Sequence, residues 1–198
     1  MSQTASTNQT TYEQIAAVQK EIEAKRIEIV ELRSKLAPEE VKDYTLKDWN
    51  GNDVLLSSLF DERDELMVIH NMGKRCVYCT LWADGLNGFV LPLNDRMPFV
   101  VTSPDAPDVQ KEFAESRDWK FKMLSTLGST FTADLGFEPK PGVYHPGVSA
   151  LIRKDGKIYR TSYDHFGPGD AYCAPWHLYD LFPKRDNEWQ PKYKYAGA

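Results

Sequence analysis

The chain has 198 residues, of which 41% are hydrophobic, so it is long enough for one domain of ordinary size with an appendage. Its formal net charge of −5 argues against a nucleic-acid partner, because phosphate binding requires clustered excess Lys and Arg. Three cysteines, an odd number, do not suggest a secreted disulfide framework. We find neither a signal peptide nor an apolar run of membrane-spanning length, and therefore expect a cytoplasmic protein with no membrane partner.

The character of the sequence changes near residue 10. Residues 1–10 are polar and lack large apolar side chains, which predicts a disordered tail. Residues 11–37 contain neither Gly nor Pro and predict one long amphipathic helix that ends before Pro38. Its apolar positions fit the a and d sites of a heptad repeat, with Lys25 at one d site. The apolar residues in that pattern are Ile15, Val18, Ile22, Ile29, Leu32 and Leu36. Such a helix either packs along its own domain or makes a homodimer contact.

The sequence of residues 40–185 predicts an α/β domain. Strands are predicted at 44–49, 54–56, 66–70 and 97–102, helices at 80–93 and 107–117, and a closing hairpin at 148–162 around the turn 154–157. This order predicts a mixed central sheet flanked by helices. The C-terminal tail, 186–198, is rich in aromatic residues and is expected to dock on a partner subunit.

Cys76 and Cys79 form a Cys-x-x-Cys motif between the apolar run 66–70 and a predicted helix. This spacing brings both thiols to one helix N-terminus, where one sulfur can attack a disulfide and the other can resolve the intermediate. The motif therefore favours redox chemistry. Metal binding is the rival interpretation, and two unreactive buried thiols are a third.

The residues around this motif resemble a known family. The run Cys76-x-x-Cys79-x-x-Trp82-Ala83-Asp84-Gly85 and the strand before it are similar to the thioredoxin-like family labelled DUF899, a domain of unknown function. Further similarity lies in segments 129–134, 146–149 and 177–183, and the resemblance covers about residues 12–185. It implies a thioredoxin-like fold with a long N-terminal helix, and the family name brings no established reaction.

The resemblance also implies roles for individual residues. In thioredoxin-like oxidoreductases the first cysteine attacks and the second resolves, which assigns Cys76 as the nucleophile and Cys79 as the resolving thiol. Such proteins hold the substrate at a cis-proline loop opposite the motif, and His145, Pro146 and Gly147 are the candidates here. Gly147 falls at the usual proline position, so Pro146 is either cis one residue early or a trans proline that begins a strand.

The sequence also suggests a residue beside the thiols and a class of substrate. Trp82, on the helix after the thiols, is expected to pack in the core or to wall the substrate-binding site. The expected substrate is a protein disulfide or a small-molecule disulfide. We expect the reaction to need no cofactor and no metal.

A peroxidase mechanism is disfavoured by one position. Segment 53–60 resembles the entry into peroxiredoxin domains. Those enzymes need a threonine three residues before the peroxidatic cysteine, and Gly73 occupies that position. Thiol–disulfide exchange is therefore the preferred chemistry.

A non-enzymatic metal-binding module is the alternative function. Cys76 and Cys79 would complete a zinc tetrahedron with Cys173 and His177 if the C-terminal segment folds back over the helix N-terminus. The two thiolates could also hold copper together with a histidine, for which the candidates are His145 and His165.

Overall fold

The computed structural model describes residues 2–183 and 189–196 of the chain. It divides the chain into two units, Met1–Ala37 and Pro38–Ala198. Among the described residues, no helix is both long enough and apolar enough to cross a membrane.

The first unit is one helix, α1 (Ser2–Arg33). The Oγ1 of Thr11 donates to the carbonyl of Thr7 at 3.1 Å, and Gln9 donates to Glu13 at 3.2 Å. Each pair lies one helical turn apart, and neither Gly nor Pro interrupts the segment. The structure places residues 2–10 in this helix, where the sequence predicts a disordered tail, and the helix ends at Arg33 rather than directly before Pro38.

The second unit alternates strands and helices. Its strands are β1 (Glu39–Val41), β2 (Thr45–Lys47), β3 (Asp53–Leu55), β4 (Glu65–His70), β5 (Phe99–Ser103), β6 (Lys122–Ser125), β7 (Gly147–Lys154) and β8 (Lys157–His165). Its helices are a 3₁₀ helix (Leu56–Phe60), α2 (Val77–Asn87), α3 (Val90–Arg96), α4 (Pro107–Ser116), α5 (Phe131–Asp134) and α6 (Ala174–Tyr179). The single helix predicted at 80–93 is thus two helices, with a break at Gly88 and Phe89.

The strands form one mixed sheet in the order β1-β8-β7-β4-β5-β6-β2-β3. Strands β4, β5 and β6 are parallel, whereas β7 runs antiparallel to β4. All five residues of β5 are buried, as expected for a central strand that is covered on both faces. The predicted mixed sheet with flanking helices is confirmed.

The two faces of the sheet carry separate apolar clusters, because alternate residues of a strand point to opposite faces. On one face Val68, Val100 and Leu124 pack with Phe131 and Phe137. On the other face Ile69, Val101 and Met123 pack with Ala83 of α2 and Ala114 of α4. Helix α2, which carries the Cys-x-x-Cys motif, is therefore anchored on this second face.

The closing hairpin has the predicted turn. Asp155 and Gly156 join β7 to β8, with φ of 51° and 74°. Two consecutive positive φ values are the mark of a type I′ turn, whose twist matches that of the two strands. This hairpin places Gly147, the first residue of β7, opposite His70 at the end of β4, and Pro146 comes directly before it.

Candidate active site

A short loop between β4 and α2 sets the position of Cys76. The backbone N–H of Asn71 donates to the carbonyl of Thr102 at 2.9 Å, and its side-chain oxygen accepts from the N–H of Gly73 at 2.8 Å. The N–H of Lys74 donates to the carboxylate of Asp105 at 2.7 Å. These contacts tie the loop to β5 and the segment after it, so Cys76 is presented from a fixed backbone.

Gly73 is required by the shape of this loop. Its φ is +94°, in the left-handed region that favours glycine. A Cβ at this position would lie 2.7 Å from an oxygen of Asp105. A threonine therefore does not fit three residues before Cys76, which agrees with the expectation that the peroxiredoxin arrangement is missing at this position.

The two cysteines of the motif differ in exposure. Cys76 is the N-cap residue of α2 and is half-buried, and its Sγ accepts the N–H of Cys79 at 3.0 Å. Cys79 is one turn further along the helix and is only 2% exposed. A reagent can therefore approach Cys76 much more easily than Cys79.

The two thiols also differ in acidity. Hydrogen bonding from the thiol of Cys79 lowers the pKa of Cys76 to about 7, and the backbone N–H groups of Cys79 and Tyr78 act in the same direction. The same hydrogen bond raises the pKa of Cys79, and its burial raises it further. Cys76 is therefore the thiolate of the pair near neutral pH, and Cys79 keeps its proton. The exposed side chains of Lys74 and Arg75 are not among the causes of this shift.

Two of the predicted substrate-binding residues lie near the thiols. Trp82 and Pro146 line a small cavity together with Cys79 and Phe166. The cavity leaves only about 10 Å³ for the centre of a water molecule, which is room for a single water. A molecule larger than water would therefore meet the site at the surface of Cys76.

The other two predicted residues have different surroundings. Gly147 is buried, and a Cβ there would lie 2.5 Å from the ring of Phe137 and clash with the carbonyl of Asp164. His145 is exposed, its backbone N–H donates to the carbonyl of Phe137 at 2.8 Å, and its ring lies 5.8 Å from that of His165. The described chain has no cis peptide bond, so Pro146 is the trans proline that precedes a strand.

An aromatic cluster beside α2 was not predicted from the sequence. Trp82 stacks on Phe166 at 5.6 Å and lies 6.4 Å from Trp176, and Trp189 packs on Trp176 at 5.8 Å. The indole N–H of Trp82 also donates to Asp170 at 3.4 Å. The C-terminal segment thus folds over α2 of its own unit.

An ion pair links the C-terminal segment to α2, the helix that carries the thiols. Arg117 binds Asp84 of the Cys-x-x-Cys-x-x-Trp-Ala-Asp-Gly run through two nitrogens, and it also donates to the backbone carbonyl of Tyr193 at 2.9 Å. The ring of Tyr193 packs edge-on against Phe113. Burial raises the pKa of Tyr193, and the charges of Cys76 and Cys79 raise it further. Asp84 in the motif is a charged residue that calls for a partner, but the sequence does not indicate that this partner is Arg117, 33 residues away.

His70, at the end of β4, is the other residue that sequence reasoning missed. It is 2% exposed, its Nε2 lies 2.9 Å from the hydroxyl of Ser149, and its ring stacks on Phe137 at 3.8 Å. Burial lowers its pKa to about 3, and the charges of Arg160 and His165 add to this effect. His70 is therefore a neutral residue of the core.

The residues proposed for a zinc or copper site do not come together. In residues 2–183 and 189–196, no group of three or more His, Cys, Asp or Glu side chains is placed to hold a metal ion. Cys173 is buried with Trp82 and Trp176, and this burial raises its pKa to about 11. His177 instead contacts the carbonyl of Asp170 at 2.9 Å.

Comparison with protein families decides the classification. A family described as "Bacterial protein of unknown function (DUF899)" matches residues 2–196. The chain belongs to the DUF899 family. The search of curated proteins gives no significant match.

Solved structures show the fold of this DUF899 protein. Peroxidoxin BcpB from Mycobacterium tuberculosis is 23% identical with a TM-score of 0.51, over 61% of this chain and 80% of the other. The bacterioferritin comigratory protein of Xanthomonas campestris is 12% identical with a TM-score of 0.54, over 69% and 89%. The mitochondrial 2-Cys peroxiredoxin from Plasmodium falciparum is 10% identical with a TM-score of 0.55, over 74% and 93%. The predicted thioredoxin-like fold is confirmed.

Proposed function

We propose that this protein is a thiol–disulfide oxidoreductase in which Cys76 is the nucleophile and Cys79 the resolving thiol. The observation that carries the proposal is the asymmetry of the pair: an accessible sulfur with a pKa of about 7 next to a buried sulfur that keeps its proton. A thiol attacks disulfides fastest when its pKa is near the ambient pH. Cys76 meets this condition at neutral pH.

The reaction consists of two exchanges. In the first, the thiolate of Cys76 attacks one sulfur of a substrate disulfide, the substrate S–S bond breaks, and the released thiolate takes a proton from solvent. In the second, the sulfur of Cys79 attacks the Sγ of Cys76 and releases the other half of the substrate, which takes the proton of Cys79. Two electrons pass to the substrate, and a Cys76–Cys79 disulfide forms.

The first exchange activates the second. The hydrogen bond to the Cys76 thiolate is the main cause of the raised pKa of Cys79, and the negative charge of Cys76 contributes to it. When Cys76 enters a mixed disulfide, this charge disappears. Cys79 then loses its proton more readily, so the buried thiol becomes reactive only when an intermediate is present.

The test is to trap the intermediate with oxidised glutathione as the probe disulfide. Cys79→Ser should accumulate one glutathione on Cys76, whereas the unaltered protein should form the Cys76–Cys79 disulfide and release two molecules of glutathione. Cys173→Ser, which alters the third cysteine, is the matched control and should behave as the unaltered protein. Glutathione on Cys79 in Cys76→Ser, with none on Cys76 in Cys79→Ser, would reverse the roles.

Two further measurements separate this proposal from its rivals. Hydrogen peroxide should oxidise Cys76 no faster than an ordinary thiolate of similar pKa, since Gly73 stands at the position of the peroxiredoxin threonine. Rapid oxidation by peroxide would favour a peroxidase instead. Metal analysis of the purified protein should give no zinc or copper in proportion to the protein, and a stoichiometric metal that blocks alkylation of Cys76 would favour the metal-binding module.

A further inference from the structure

Helix α1 presents an apolar stripe along its length. Five side chains of the stripe follow the a and d sites of a heptad repeat, and each is between 46% and 55% exposed. They are Ile15, Ile22 and Ile29 at a, and Val18 and Leu32 at d. β-Branched residues at a with Leu at d, as at Ile29 and Leu32, favour a two-stranded parallel coiled coil.

Charged residues flank this stripe in a self-complementary order. With Ile22 at a, the g sites hold Glu21 and Glu28, and the e sites hold Arg26 and Arg33. In a parallel pair, each g residue faces the e residue of the next heptad on the other helix, so Glu21 meets Arg26 and Glu28 meets Arg33. In an antiparallel pair, g would face g and e would face e, which places like charges together. The charges therefore favour a second copy of the same helix as the partner, and they favour a parallel pair over an antiparallel one.

Lys25 is the one charged residue at the a and d sites between Ile15 and Leu32. Its Nζ binds the carboxylate of Glu28 on the same helix at 2.6 Å. A lysine stem can lie along an apolar surface while its charged end reaches out to a partner at the edge. Lys25 can therefore occupy a d site without a buried, unpaired charge.

We propose that α1 pairs two copies of this chain through a parallel, two-stranded coiled coil over residues 15–33. The surface extends over nearly three heptads, and its apolar residues and charges both match a second copy of itself. This inference does not depend on the proposed redox function.

The oligomeric state of the full chain tests the proposal. Light scattering after size exclusion should give a dimer, and Ile22→Asp combined with Ile29→Asp should give a monomer at the same concentration. The matched control is Ile27→Asp combined with Val30→Asp, since these residues are also apolar and at least as exposed but lie at f and b, outside the stripe. The control should remain a dimer. A monomeric unaltered chain, or a dimer that persists in the first double variant, would overturn the proposal.

The charges and the direction can be tested separately. Arg26→Glu with Arg33→Glu, and Glu21→Arg with Glu28→Arg, should each be monomeric alone and form a heterodimer when mixed. Val18→Cys lies at a d site within the coiled coil, so with the three native cysteines changed to Ser it should form a disulfide-linked dimer on mild oxidation. Failure of the mixture to associate would exclude the charge pairing, and failure of the cross-link in a dimeric protein would exclude the parallel direction.

Discussion

Two identical side chains in one motif acquire opposite properties because of their places on α2. Cys76 caps the helix and receives hydrogen bonds, whereas Cys79 is buried and donates one. The hydrogen bond from Cys79 is the largest cause of the lowered pKa of Cys76. The nucleophile is therefore activated mainly by its own resolving partner.

Removal of that partner should weaken the nucleophile. In Cys79→Ala, the pKa of Cys76 should rise from about 7 toward the ordinary value of 9.0, because the thiol donor is lost while the helix N-terminus stays. The pH dependence of Cys76 alkylation measures this pKa. Cys173→Ala should leave it unchanged. If the pKa of Cys76 stays near 7 in Cys79→Ala, the backbone N–H groups alone are enough to lower it, which would contradict this account.

Gly147 should be intolerant of even one added carbon. A Cβ there would press on the ring of Phe137 and on the backbone of β8, and such overpacking destabilises a protein by about 1–3 kcal/mol. Thermal unfolding should therefore begin at a clearly lower temperature in Gly147→Ala. Gly167→Ala is the control, because a Cβ at Gly167 meets nothing within 4 Å. Equal stability of the two variants would contradict this account.

Buried His70 should make the fold sensitive to mild acid. Its pKa is lowered to about 3, so the unfolded chain binds a proton below about pH 6.5 and the folded chain does not. The free energy of unfolding therefore falls as the pH falls from about 6.5 toward 3. Between pH 7 and pH 5 the free energy of unfolding should fall by about 2 kcal/mol from this residue alone. Denaturant titrations should show this loss reduced in His70→Gln and retained in His145→Gln.

At the scale of elements, the C-terminal segment is the least expected part of the site. Trp189 packs on Trp176, and Arg117 holds the carbonyl of Tyr193, so residues 189–196 lie against the unit that carries the thiols. In the structure, Trp189 and Tyr193 pack on residues of their own unit. Docking of the tail on a partner subunit stays a prediction.

Deletion of residues 189–198 should open the approach to Cys76. Arg117 joins the carbonyl of Tyr193 to Asp84 of α2, so the segment is held against the helix whose N-cap is Cys76. We expect iodoacetamide to alkylate Cys76 several-fold faster in the shortened chain, at a pH where the thiolate fraction is matched. Lys194→Ala, an exposed change within the segment, should have no effect. An unchanged rate in the shortened chain would show that the segment does not cover the sulfur.

At the scale of the whole molecule, local patterns predicted what local interactions determine. The strand before Cys76, the Asp-Gly turn at residues 155 and 156 and the long N-terminal helix each follow from interactions of neighbouring residues, and each is present. The contacts of Asp84 with Arg117 and of Trp82 with Phe166 join residues far apart in the chain. The spacing of residues along the chain carries no information about such pairs. The packing of Arg117 and Phe166 against α2 therefore could not be predicted from the sequence.

The most direct test of the central claim is the pH dependence of alkylation in the intact, reduced protein, with the modified cysteine identified by peptide mass mapping. The account predicts that iodoacetamide modifies Cys76 first, with a half-maximal rate near pH 7, while Cys79 stays unmodified. Modification of Cys79 first, or a Cys76 rate that rises only near pH 9 as for an ordinary thiol, would contradict the assignment of Cys76 as the activated nucleophile.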